Sequence, residues 1–133
     1  MTRVLLPLKL VYIDGRTWIV DELFAVESDV LGGELHVVQG ESTDFNSVPL
    51  GLWNLLPPAD YGEAAVCHDV LYKYGTYQDT PITRETADRV HREFVRWRNA
   101  PRWKAWVYYR ALRLGGWVAW RKYRKLDPEP DFV

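Results

Sequence analysis

One histidine and a set of acids carry the chemistry available to this sequence. His68 and Asp69 are adjacent, Tyr72 follows, Asp88 lies further on and Asp44 precedes them. Side chains three and four apart on a helix are neighbours, so His68 and Tyr72 share a face and Asp69 lies within reach of Tyr72. Adjacent helical residues point about 100° apart, so His68 and Asp69 do not pair with each other. Each is left for a different partner, the imidazole as a general base and the carboxylate as a metal ligand. Asp88 opens the next helix beside an apolar stripe that must pack inward. If the two helices lie antiparallel, Asp88 orients the imidazole, fixes its tautomer and raises its basicity. Asp44, in Thr43-Asp44-Phe45, is a further carboxylate that can converge on the site. The expected catalytic set is His68, Asp88 and Tyr72, and the expected metal set is Asp69 and Asp44.

Blander roles compete with these. A histidine among apolar helix residues is more often a satisfied interior group than a catalyst, although burying charge there is costly without partners. In Ser42-Thr43-Asp44 the aspartate can instead cap a turn or hold loop amides. A zinc site with His91 or His36 is weaker, because the histidines stand on different elements and must converge. Cys67 faces away from His68 and suits a small buried thiol better than a nucleophile.

The elements that must position these groups form an α+β pattern: a small N-terminal antiparallel sheet followed by three to four helices. Leu8 to Ile13 and Thr17 to Val20 flank the turn Asp14-Gly15-Arg16. Leu35 to Gln39 is a third strand, set between Gly32-Gly33 and Gly40. A short helix is expected at Leu50 to Leu55 and a longer one at Tyr61 to Tyr74. Thr83 then caps a helix that runs to Pro101. The last helix, about Arg102 to Lys125, sets Arg102, Trp106, Arg110, Arg113, Trp117, Arg121 and Arg124 on one arc. Gly115-Gly116 interrupts it, as a kink or as room for a close neighbour. The expected organisation is one domain over residues 1–133, mainly β over 1–49, mainly α over 50–125, with a tail from 126.

Composition narrows the classes. The 133 residues suit one core, and 47% hydrophobic residues argue against disorder. Basic and acidic residues balance at 17 and 18, so whole-molecule charge predicts no nucleic-acid partner. A single cysteine excludes an internal disulfide framework and suits a reducing cytoplasm. No apolar run has the length of a membrane span and no signal peptide is legible.

Several of these residues together resemble a family. Gly40, Thr43-Asp44-Phe45, Ser47-Val48-Pro49, Pro58, Tyr61, Ala64-Ala65, His68-Asp69 and Leu71-Tyr72 are similar to the core signature of DUF1353. Ala87-Asp88, Phe94, Ala111 and Gly116-Trp117 extend the likeness over most of the chain. The resemblance implies a phage or prophage origin, synthesis in the host cytoplasm and a possible place in the virion. It implies no mechanism. His68-Asp69 followed by Tyr72 also resembles the active-site helix of phospholipase A2. That likeness implies a water-activating His68, a calcium-binding Asp69, a supporting Asp88 and Tyr72 bonded to the supporting carboxylate. The glycine- and cysteine-rich calcium loop and the disulfides of that pattern are missing, so Asp44 and nearby carbonyls would have to complete the shell. The expected function is then a phage-encoded, calcium-dependent lipid esterase acting when the phage enters or lyses its host, with zinc as the alternative ion. The competing expectation is a non-catalytic virion or tail-associated assembly protein. The Arg and Trp arc of the last helix suits anionic phospholipid or a neighbouring phage protein.

Overall fold

The computed structural model describes residues 1–15, 17–43 and 58–126. Six strands come first: β1 (Arg3–Leu6), β2 (Leu10–Asp14), β3 (Thr17–Val20), β4 (Phe24–Ser28), β5 (Gly33–Val37) and β6 (Ser42–Thr43). They make two antiparallel three-stranded sheets rather than one, ordered β1-β4-β5 and β2-β3-β6. The β2–β3 hairpin turns at Gly15, whose φ of 46° favours glycine. β4 has no counterpart among the expected strands and is the most buried of the six. Phe24, Ala25 and Val26 are all sealed, because β4 is central in its sheet and the helices cover it. A short apolar run without alternation is the pattern of a strand buried on both faces, and periodicity alone does not reveal it.

After a 3-10 turn at Pro58–Tyr61 come α1 (Gly62–Tyr74), the small hairpin β7 (Thr76–Tyr77) and β8 (Thr80–Pro81), then α2 (Arg84–Trp97). α3 (Arg102–Gly115) and α4 (Trp117–Leu126) follow, so the expected single last helix is two helices broken at Gly116. The fold is α+β. The short helix expected at 50–55 lies outside the described residues.

α1 and α2 run antiparallel. Glu63 pairs with Arg98 at 2.6 Å near one end, and Tyr72 meets Asp88 at the other. α1 ends at Gly75, which has φ 66° and donates its N–H to Leu71 at 2.8 Å. The Arg124 guanidinium reaches in from α4 to the carbonyls of Tyr72 and Lys73, at 2.8 and 2.7 Å. It thereby satisfies groups that a helix end leaves open. Thr83 caps α2 by accepting from the Thr86 N–H at 3.1 Å. Glu93 ties α2 to the sheet, accepting from Thr2 and Ser28 hydroxyls and the amides of Asp29 and Val30. The core between the layers includes Val20, Phe24, Val26, Val66, Leu71, Val90 and Phe94.

Candidate functional site

α1 is buried around most of its girth, from Glu63 through His68 and again at Leu71 and Tyr72. Its polar side chains therefore need partners from neighbouring helices. Asp88, one turn into α2, provides them. His68 Nε2 lies 2.8 Å from Asp88 Oδ1, and the Tyr72 hydroxyl donates to that oxygen at 2.6 Å. The other oxygen, Oδ2, accepts from Arg113 of α3 at 3.0 Å and from Arg84 at 3.4 Å. Both His68 and Asp88 have no solvent exposure. One carboxylate thus joins three helices.

Electrostatics decide the protonation of this cluster. Burial pushes the Asp88 carboxyl up, but hydrogen bonds and charge from His68, with Tyr72 and Arg113, outweigh it and hold the group below its ordinary value. Asp88 accepts a hydrogen bond from the Nε2–H of His68, and Nδ1 is the ring nitrogen left for another partner. His68 Nδ1 has no hydrogen-bond partner among the described residues. Burial, then the neighbouring Asp88 charge, raises the Tyr72 hydroxyl, so it stays a donor. His91 packs edge-on to His68, with ring centroids 5.4 Å apart, and desolvation holds it neutral, down to about 3.

Gly116 explains the break between α3 and α4. A Cβ there would lie 2.3 Å from the Tyr72 hydroxyl and 3.1 Å from Arg84 Nη1. Gly116 therefore admits a close neighbour, and that neighbour belongs to the Asp88 cluster.

Asp69 turns elsewhere, as the angle between adjacent helical residues requires. It accepts from the Thr43 hydroxyl of β6 and lines a hollow of about 110 Å³ with Thr17, Ser42, Thr43, Lys73 and Tyr123. The structure thus brings His68, Tyr72 and Asp88 together and sets Asp69 in a separate hollow. Asp44 lies outside the described residues. Among the described residues no three His, Cys, Asp or Glu side chains gather as a metal site. Calcium takes six to eight oxygens and structural zinc about four ligands. Among the described residues the donors around Asp69 fit neither ion. His36 pairs with Glu34 on the exposed side of β5, remote in role from His68 and His91.

Arg84 and Arg113 were not among the expected site residues, and Thr43, expected only through the motif and nearby carbonyls, contributes its hydroxyl. Arg84 was accessible, since it stands four residues before Asp88 on one helix, the spacing of an ion pair. Arg113 and Thr43 come from distant parts of the chain and carry no such signal.

The fold and site together define an α+β protein with a buried His–Asp–Tyr cluster at the junction of three helices. Residues 18–112 match the family model described as protein of unknown function DUF1353, and the chain belongs to that family. Comparison with curated proteins and with solved structures gives no match in either.

Proposed function

We propose that His68 and Asp88 are the proton-transfer pair of a hydrolytic site in a phage-encoded esterase that acts on phospholipid when the phage enters or lyses its host. The observation that carries the reading is an imidazole held through Nε2 by a carboxylate at 2.8 Å, with Nδ1 without a partner among the described residues. In the proposed step Nδ1 accepts a proton from water as the water attacks an ester carbonyl, and because His68 has no solvent exposure the step requires the helix junction to open and admit both. Asp88 then stabilises the imidazolium, and Tyr72 and the two arginines hold Asp88 in place. The arrangement of His68, Asp88 and Tyr72 also agrees with the phospholipase A2 likeness. For a lipid partner, Trp117 and Arg121 lie on the outer face of α4 with Val118, Lys122, Lys125 and Leu126. That face is basic and apolar, as an anionic bilayer surface requires. Arg113 is excluded from it by its bond to Asp88.

A second reading is favoured by one observation, the complete burial of both His68 and Asp88. There the cluster is a static clasp in a non-catalytic virion or assembly protein. Fatty-acid release from phosphatidylglycerol vesicles separates the two, measured with and without added calcium, for the wild type and His68→Asn. Release by the wild type that falls about 100-fold or more in a variant with an unchanged unfolding midpoint supports the esterase. No release by the wild type, with normal plating of phage carrying His68→Asn, supports the clasp.

A further inference from the structure

The whole-chain charge balance hides a strong local imbalance. Arg89, Arg92 and Arg96 recur along the outer face of α2, opposite the stripe of Ala87, Val90, Phe94 and Val95 that packs inward. Arg102 approaches them from the start of α3. These four arginines line a groove of about 330 Å³ with Val30, Ala105 and Trp106. Its only acid is Glu93, whose two oxygens are already engaged by the Thr2 and Ser28 hydroxyls and two amides. Arg89, Arg92 and Arg102 make no ion pair among the described residues, and Arg96 donates only to the Ala100 carbonyl. Arg92 is held in position by stacking on Tyr109 at 4.4 Å. Trp106 is 57% exposed at the rim, with Arg110 stacked on it at 5.4 Å.

We infer that this groove binds single-stranded nucleic acid, with backbone phosphates on the arginines and a base against Trp106. Four like charges side by side repel one another, so the unliganded groove favours any anion that enters. Guanidinium forks match phosphate oxygens in pairs. Arg89 to Arg96 spans about 10 Å of helix at roughly 1.5 Å per residue, room for more than one phosphate. The exposed indole favours a ligand with a flat face over an acidic peptide, and anionic vesicles are the competitor in the test. Flat aromatic surface beside a basic groove is what unpaired bases stack on, whatever their sequence. The groove lies on the face of α2 away from His68, so it stands independently of the esterase reading.

The test is fluorescence anisotropy of a labelled oligothymidylate of roughly 15 nucleotides with the full chain. With about three phosphates engaged, the log–log salt slope is expected near −2, so binding weakens about 20-fold between roughly 50 and 200 mM salt. Arg89→Gln with Arg102→Gln, two side chains without ion pairs to lose, should weaken binding about 10-fold or more and flatten that slope by about 1.4. Trp106→Ala should weaken it by about 5-fold to 100-fold. Arg121→Gln with Lys125→Gln, the same charge removed from α4, should have less effect than either. The inference is overturned if the groove and α4 pairs weaken binding equally. It is overturned equally if the wild type does not bind the oligonucleotide, or binds polyglutamate or anionic vesicles through the same arginines more tightly.

Discussion

Gly116→Ala sets local helix propensity against tertiary packing. Residue 116 has φ −70° and ψ −17°, a right-handed helical conformation open to any residue. On propensity alone alanine is better than glycine by about 1 kcal/mol. The packing demands the reverse. The new methyl would meet the Tyr72 hydroxyl at 2.3 Å, and Tyr72 is 2% exposed, with no free direction in which to swing. Overpacking of this kind costs about 1–3 kcal/mol. Displacing the hydroxyl also breaks its 2.6 Å bond to Asp88, and a hydrogen bond to a charged group contributes about 1.5–3 kcal/mol. After the propensity gain, the variant is expected to lose about 1.5–5 kcal/mol, or on the order of 10 °C in Tm. Urea unfolding measures it, with the m-value expected to hold. Tyr72→Phe supplies the control, since it removes one of the atoms that the methyl strikes and leaves the Leu112 carbonyl oxygen at 2.6 Å. In that background Gly116→Ala should cost less, a coupling of about 1 kcal/mol or more. A Gly116→Ala protein as stable as the wild type, or costs that simply add, would refute the packing described.

Two further outcomes follow from the buried titratable groups. Burial, reinforced by His68 and opposed by Asp88, holds His91 neutral down to about 3 in the folded protein, whereas in the unfolded chain it gains its proton near pH 6.5. Between those values the unfolded state binds more protons, so stability is whole above pH 6.5 and is lost as pH falls, with a slope approaching about 1.4 kcal/mol per unit. Urea midpoints at a series of pH values check this, and His91→Leu should shallow the slope. An unchanged slope in His91→Leu would mean that the imidazole is not the group responsible. Cys67 is fully buried, and desolvation pushes its thiol well up from the ordinary value. Native protein is expected to resist iodoacetamide and to react on addition of urea. Rapid alkylation of the native protein would place the thiol at the surface.

What the sequence determined by itself was local. Helical spacing put His68 and Tyr72 on one face and turned Asp69 away, and Thr83, Pro101 and the glycines marked where helices begin and end. The meeting of His68 and Asp88, twenty residues apart, was expected on the condition that the two helices lie antiparallel, and the structure meets that condition. The family match over residues 18–112 agrees with motifs legible in the chain. Other features belong to the tertiary structure. β4 is the centre of its sheet because β1 and β5 pair with its two edges, and a run of three buried apolar residues does not announce its neighbours. Arg113 reaches Asp88 from another helix, and Arg124, expected on an outward arc, caps α1 instead. The helix is interrupted at Gly116, and Arg113 and Arg124, drawn on one outward arc, both turn to buried partners instead. Periodicity fixes which way a side chain leaves its own helix; which charge it meets there depends on how the helices pack.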